Sequence, residues 1–203
     1  MLVPQVYVRV KPGDIDGSGA LLSGDSVNMN LGGDLNNSGG TIAGRTTVAL
    51  TADNINNLAG RITGKDVAVV AGTDLNNIGG MIDAQHSLNV FAVRNVNVLT
   101  TTSDASSSAT TARGGIEQQR TVVDRVAGLY VSDPGGALGV YAGGNITTAG
   151  AQIVSGGSVE MTAKGGDITT RAATSSAGNV LSLDAGGVST GVRLNNRLLD
   201  STA

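Results

Sequence analysis

Apolar and polar positions repeat along the chain with a period of about 20 residues. The stretch GDLNNSGGTI, which begins at Gly33, returns as DNINNLAGRI from Asp53 and as TDLNNIGGMI from Thr73. A fixed period in this range is typical of solenoids, in which each repeat is one stacked unit. The pattern therefore predicts a repeat protein built from coils of this length.

Two apolar columns run through the repeats, seven positions apart within each unit. The first column contains Ile15, Leu35, Ile55 and Leu75, and the second contains Leu22, Ile42, Ile62 and Ile82. A third column is an alternating pair, such as Val67 and Val69. A spacing of two is that of a half-buried strand, and the Gly, Asn, Asp and Ser in the gaps favour turns. Each unit is therefore predicted to hold three short strands.

Coils of this kind close into an all-β, parallel β-helix. Because crossovers between parallel strands are almost always right-handed, we expect a right-handed solenoid with coils stacked at roughly 4.8 Å. Pairs of asparagines recur beside the first apolar column, at Asn36, Asn37, Asn56, Asn57, Asn76 and Asn77. Stacked Asn side chains can form a hydrogen-bonded ladder along the axis. Asn also tolerates the left-handed conformation that a sharp corner needs.

The pattern divides the chain into four parts. Residues 1–14 alternate well enough to form a leading strand or cap, and residues 15–99 hold the regular coils. Residues 100–128 interrupt the period, and residues 129–203 hold less regular coils and a tail. In the last part the seven-residue gap returns between Ile146 and Ile153, so that coils are predicted to continue to about residue 188.

The interruption begins with a segment, residues 100–112, made almost wholly of Ser, Thr and Ala. Without an aliphatic residue to bury, this segment is predicted to be a mobile loop or an exposed excursion. A charged stretch follows, with Arg113, Glu117, Arg120, Asp124 and Arg125. One interpretation is a loop or hairpin that presents a contact surface. The other is a solvated insertion without a partner, which a solenoid tolerates at little cost.

Composition narrows the classes of function. Gly supplies 31 of the 203 residues, as many tight turns require, and aromatic residues supply only 2%. The absence of cysteine excludes disulfides. The net charge of −3 provides no positive surface potential that would attract nucleic acid. We therefore expect no nucleic-acid partner.

The chemistry-bearing residues form no recognisable catalytic or metal motif. His86 is the single histidine, and a zinc site needs about four nitrogen or sulfur ligands. Asp34, Asp53 and Asp74 recur near one corner, where turn-forming or capping roles are favoured over calcium because the calcium-binding nonapeptide is absent. A polysaccharide-active β-helix, the main enzymatic alternative, would need clustered carboxylates. We predict no catalytic residue, no metal, no cofactor and no enzyme activity.

The unit Asp/Asn-Leu/Ile-Asn-Asn-x-Gly/Ala-Gly-x-Ile resembles the haemagglutinin repeats of filamentous haemagglutinin-like exoproteins. These include the effectors of contact-dependent growth inhibition. The segments 3–8, 17–22 and 124–131 are also similar to parts of such proteins.

The resemblance implies an interior segment of a filament that is secreted or displayed on a bacterial cell surface. Such filaments leave the cell through an outer-membrane transporter of a two-partner secretion system, and display adhesive regions or deliver a toxin. The expected partners are that transporter and a receptor on target bacterial or host cells. The alternative is an adhesive module that binds cells through residues 100–128 or an outer face. Unpaired edges at the terminal coils also predict end-to-end self-association.

Overall fold

The computed structural model of the chain describes residues 19–111, 114–173, 176–185 and 188–196. Within these ranges the protein is all-β, and its parallel strands stack as a solenoid of about seven turns. This confirms the predicted parallel β-helix. In the same ranges, no helix is long and apolar enough to cross a membrane.

The described residues form eighteen strands. They are β1 (Leu21–Asn30), β2 (Leu35–Ser38), β3 (Thr41–Ala52), β4 (Ile55–Leu58), β5 (Arg61–Ala71), β6 (Leu75–Ile78), β7 (Met81–Ala92), β8 (Val96–Leu99), β9 (Thr101–Thr111), β10 (Gly114–Arg125), β11 (Gly128–Val131), β12 (Ala137–Ala142), β13 (Ile146–Ala149), β14 (Gln152–Ser155), β15 (Ser158–Ala163), β16 (Ile168–Arg171), β17 (Ser176–Ala185) and β18 (Val188–Asn196).

Two parallel sheets form the solenoid. The first runs β1-β3-β5-β7 and continues through β11 and β14, with β12 and β15 beside them. The second runs β2-β4-β6-β8-β13-β16. The long strands of the first sheet shift register near residues 24–26, 43–47 and 64–66. These irregularities absorb the one-residue differences between coils.

The predicted apolar columns form the core. Leu35, Ile55 and Leu75 align from coil to coil and are buried, as are Ile42, Ile62 and Ile82. Two members of the columns differ from this. Ile15 lies outside the described residues, and Leu22 aligns with Ile42 but is 47% exposed. Leu22 lies on β1, which pairs with a described strand on one side only, so that one coil instead of two covers it.

The interruption is a β-hairpin and not a loop. Strands β9 and β10 pair antiparallel over most of their length. Of the two alternatives predicted for this segment, the mobile loop is wrong and the exposed excursion agrees with the structure. Backbone pairing can order a segment that has no aliphatic side chain to bury.

The chain after the last coil returns to this hairpin. Strand β17 pairs antiparallel with β10, and β18 pairs with β17, which gives an antiparallel sheet in the order β9-β10-β17-β18. The prediction of coils up to residue 188 is therefore wrong from residue 176 onward. The predicted leading strand at 1–14 and the end of the tail at 197–203 lie outside the described residues.

The asparagine pairs form two ladders. In the inner ladder, Asn37 Nδ2 donates to Asn57 Oδ1 at 2.8 Å and Asn57 Nδ2 donates to Asn77 Oδ1 at 2.7 Å. These three side chains are buried. The inner ladder ends where Asn77 Nδ2 donates to the carbonyl of Gly128 at 3.2 Å. No amide in this ladder is left without a partner, because each one bonds to the coil above or below it.

The outer ladder runs in the opposite direction. Asn56 Nδ2 donates to Asn36 Oδ1 at 2.8 Å, Asn76 Nδ2 donates to Asn56 Oδ1 at 2.9 Å, and Asn97 Nδ2 donates to Asn76 Oδ1 at 2.8 Å. The amide dipoles of the two ladders therefore oppose one another across each short strand.

The inner ladder also explains a glycine column. A Cβ atom on Gly40, Gly60 or Gly80 would lie 2.5 Å from the Oδ1 atom of the ladder asparagine in the same coil. Where the ladder asparagine is absent, the equivalent position holds alanine: Val98 occurs with Ala127, and Thr148 occurs with Ala151. The amide group therefore occupies the space that an alanine methyl group fills in the later coils.

Glycine and alanine, and not asparagine, adopt the left-handed conformation at the corner of the coils. Gly39, Gly79 and Gly150 have positive φ angles near 60°, and Ala59 occupies the equivalent position with φ of 52°. The asparagines lie in extended strands instead, because their amide groups are needed for the ladders. The prediction that asparagine supplies the left-handed corner was wrong.

Gly40→Ala is expected to lower the free energy of unfolding by about 1–3 kcal/mol, as overpacking a filled interior does. In an Asn37→Val background the same change is expected to cost at least about 1 kcal/mol less, because the amide that blocks the methyl group is gone. Chemical denaturation of the unmodified protein, the two single variants and the double variant measures the coupling. Gly32→Ala, whose Cβ would meet nothing within 4 Å, is the control. Equal costs in both backgrounds would contradict the steric coupling.

Ala59→Gly is expected to stabilise the protein by about 0.5–1 kcal/mol. The substitution relieves a left-handed strain of about 1–2 kcal/mol, and this exceeds the extra backbone entropy that glycine loses, about 0.5–1 kcal/mol. Ala49→Gly, at a strand position without positive φ, should destabilise instead. Thermal unfolding of both variants checks the sign of each effect, and destabilisation by both would show that the corner is unstrained.

Candidate functional site

One surface column of Asp and Asn side chains caps the coils. The backbone N–H of Asn54 donates to Asp34 Oδ1 at 3.1 Å, that of Asp74 to Asn54 Oδ1 at 3.3 Å, and that of Asn95 to Asp74 Oδ1 at 3.1 Å. These bonds support the capping interpretation of Asp34 and Asp74. Leu35 aligns with Ile55, so that the position of Asp34 in the capping column is taken by Asn54 in the next coil. Asp53 therefore lies one position before this column. The three aspartates therefore do not converge, and the described residues hold no cluster of three or more potential metal ligands.

Some of the remaining charges form ion pairs between neighbouring coils. Asp83 accepts from the Nε of Arg61 at 2.9 Å, and a carboxylate oxygen of Asp25 lies 3.3 Å from the Nε of Arg45. Asp74 pairs with Arg94, and this bond is the main reason why the pKa of Asp74 lies below its usual value. Such pairs join coils at the surface.

His86, the single histidine, lies with a serine and an aspartate but does not form a catalytic triad. The Nδ1 atom of exposed His86 lies 3.0 Å from Asp66 Oδ1, and the Ser87 hydroxyl donates to the same oxygen at 2.6 Å. A nucleophilic serine must instead give its proton to the histidine. The Ser87 hydroxyl bond, followed by that from His86, holds the pKa of Asp66 below its usual value. Ser87 and His86 thus stabilise the surface carboxylate of Asp66.

The predicted contact residues of the excursion do not form one cluster. Glu117 and Arg120 lie on the exposed part of β10, and Arg113 lies outside the described residues. Asp124 and Arg125 lie at the base of the hairpin, where Asp124 bonds to the first residue of β9 and Arg125 reaches the solenoid. The Thr101 hydroxyl donates to Asp124 Oδ2 at 3.2 Å, and the Nη1 of Arg125 lies 3.5 Å from the carbonyl of Ala59. The free surface of the excursion is therefore the outer part of the hairpin.

A threonine joins the base of this hairpin to the next coil. The hydroxyl of Thr100 donates to the carbonyl of Gly150 at 2.7 Å and accepts from the backbone N–H of Ala127 at 3.0 Å. Thr100 and Ala127 hold the positions of the two-residue turn in the regular coils, so the hairpin is inserted between them. The sequence did not reveal this role, since Thr100 is one of many Thr and Ser residues in its segment.

An outward-facing groove of about 270 Å³ crosses the first sheet beside an aromatic pair. The rings of Phe91 and Tyr141 are parallel with centroids 4.9 Å apart, although the residues lie far apart in the sequence. Each ring therefore covers a face of the other, and the pair stabilises the stacking of two coils. Glu160 is the single charged residue that lines the groove, so no pair of carboxylates flanks it.

Comparison with known proteins finds no family model, no curated protein and no solved structure that matches the chain. The fold and its surface define a parallel β-solenoid with an inserted antiparallel sheet. The resemblance to haemagglutinin repeats stays a prediction from the motif.

Thr100→Val is expected to lower the free energy of unfolding by about 1–3 kcal/mol, because the N–H of fully buried Ala127 loses its acceptor. The shape of the side chain is conserved, so that packing should change little. Thr102→Val, at an exposed position of β9, is the matched control and should stay within about 0.5 kcal/mol. Chemical denaturation compares the two. Equal and small effects would show that Thr100 does not hold the hairpin base.

Asp74→Asn is expected to weaken the protein at neutral pH but not in acid. Because the folded-state pKa of Asp74 lies below 3.8, the ionised pair stabilises the fold above that pH and loses its effect as the pH falls through and below it. The asparagine should keep the capping bond, as Asn54 and Asn95 do in neighbouring coils. Unfolding measured across this range should show a difference from the unmodified protein that vanishes in acid. A difference independent of pH would contradict the assignment.

Proposed function

We propose that the chain is a structural segment of a large exoprotein of the filamentous haemagglutinin type, which is secreted or displayed on a bacterial cell surface by two-partner secretion. Its task is to extend the filament and to carry binding or toxin regions away from the cell. The observation that carries this proposal is the repetition of the same axial contacts from coil to coil: inner amide ladder, outer amide ladder and capping column.

These contacts suit a filament because each coil binds its neighbours in the same way. A unit of about 20 residues adds roughly 4.8 Å of length, so reach grows simply with the number of repeats. One coil can supply the template on which the next one pairs. The lack of cysteine fits a chain that is exported unfolded, since no disulfide can form before export.

The surface chemistry also favours a structural task. Three ion pairs and the His86–Asp66 contact of the described residues join neighbouring coils, and the aromatic pair does the same. These side chains thus hold neighbouring coils together.

A second candidate function is cell binding through the antiparallel sheet. The hairpin carries exposed apolar side chains, Ile116 at 49% and Val123 at 45%, beside the charges of Glu117 and Arg120. Exposed apolar residues near charged ones are a common feature of contact surfaces. This candidate differs from the first in placing recognition on the segment itself.

Surface location tests the proposed function. Antibodies raised against the purified chain should label intact cells that carry its gene, or their culture medium, with an antibody to a cytoplasmic protein as the control. Labelling that requires lysis of the cells would contradict the proposal.

Binding of the fluorescently labelled chain to intact bacteria and epithelial cells separates the two candidates. A structural segment should show no saturable binding. A binding module should show saturable binding that Glu117→Ala with Arg120→Ala reduces and Asp25→Ala, on the solenoid, does not. Substitution is preferable to deletion of residues 100–125 here, since deletion would also remove the strand with which β17 pairs.

A further inference from the structure

One edge of the antiparallel sheet, strand β9, is unpaired within the described part of the chain. Within the described chain, β9 (Thr101–Thr111) pairs with β10 alone, so that the backbone groups along its other side face no described strand. The side chains from Thr102 to Ala109 are exposed. A long unpaired edge is a template on which another strand can form a ladder of main-chain hydrogen bonds.

Proteins usually protect such an edge with Lys, Pro, a bulge or a very short strand. Strand β9 has eleven residues and contains no Lys, Arg or Pro. Its one charged residue is Asp104, whose Oδ1 accepts from the Thr121 hydroxyl on the neighbouring strand at 2.5 Å. The register irregularity of the hairpin lies at its base, between Val123 and Arg125. The greater part of the edge is thus regular, neutral and lined by small side chains.

We propose that β9 pairs antiparallel with β9 of a second copy of this chain, which joins two four-stranded sheets across a two-fold axis. The strand is complementary to itself. Pairing centred on Ser106, the middle residue of β9, overlaps the whole strand and places Asp104 opposite Ser108 of the other copy. Pairing centred on Asp104 would place two like charges opposite each other and is disfavoured. The small side chains let two identical edges approach closely without a matching pocket.

This contact differs from end-to-end stacking of coils. It lies on the inserted sheet and would connect two chains through that sheet instead of through their terminal coils. It goes beyond the proposed function and does not depend on it, since any copy of this chain would carry the same edge.

The absence of cysteine makes disulfide trapping a clean test. In the proposed register the two Ser106 residues face each other, with Cα atoms about 4.5–5.5 Å apart, within the range that a disulfide spans. The two Ser103 residues would be separated by six residue steps, or about 20 Å at roughly 3.3 Å per residue. Under mild oxidation Ser106→Cys should form a linked dimer at least about tenfold faster than Ser103→Cys, its control on the same exposed strand.

Sedimentation of the unmodified chain supplies an independent measurement. We expect a monomer–dimer equilibrium that Ser106→Lys shifts to monomer, because the two lysines would face each other across the axis, and that Ser103→Lys shifts much less. Far-UV circular dichroism shows whether both lysine variants remain folded, and the cysteine comparison does not depend on them.

Three outcomes would overturn the proposal. These are equal trapping at residues 103 and 106, trapping at neither with a monomer at high concentration, and a dimer that folded Ser106→Lys leaves intact. The last result would place self-association on another surface, such as the terminal coils.

Discussion

The buried amide ladder is the constraint on which the regular part of the solenoid depends. Asn37, Asn57 and Asn77 place a polar group inside an otherwise apolar coil, where an unpaired amide would be costly. Each amide is satisfied by the coils next to it, so the coils must keep one register. A shift by one residue would turn every apolar column to solvent and every ladder amide away from its partner. The repeat period is therefore enforced by hydrogen bonding as well as by burial.

The ladder also fixes where the chain can change. Glycine is required three positions after each ladder asparagine, because the amide occupies the space of a side chain there. The ladder ends at Asn77, and in the next coil Val98 and Ala127 take over the two positions. The hairpin is inserted in that same coil, between Thr100 and Ala127. The hairpin thus replaces the two-residue turn in the first coil that lacks a ladder asparagine. In that coil, Thr100 supplies hydrogen bonds to Gly150 of the following coil and to Ala127.

Much of the fold was predictable because the repeat makes local and long-range contacts coincide. Residues 20 positions apart are neighbours in space. The partners of Ile55, Ile62 and Asn57 could therefore be predicted from the repeat period alone. Contacts outside the period were not accessible in this way. Phe91 and Tyr141 stack only because the hairpin between them leaves the solenoid. The pairing of β17 with β10 depends on an open strand edge that apolar spacing does not record. The corner role assigned to asparagine failed because the ladder requires those side chains in extended strands, and glycine or alanine follows at the turn.

The most direct test of the central claim is to remove one coil. Deletion of residues 55–74 joins Asn54 to Leu75 and brings Asn37 beside Asn77, which preserves every column and the inner ladder in register. Deletion of residues 55–64 removes half a coil and shifts both the apolar columns and the inner ladder out of register. If axial register holds the solenoid together, chemical denaturation should show that the first variant unfolds cooperatively with stability close to that of the full chain, whereas the second loses its folded baseline. Equal loss of structure in both variants, or equal tolerance of both, would contradict that account.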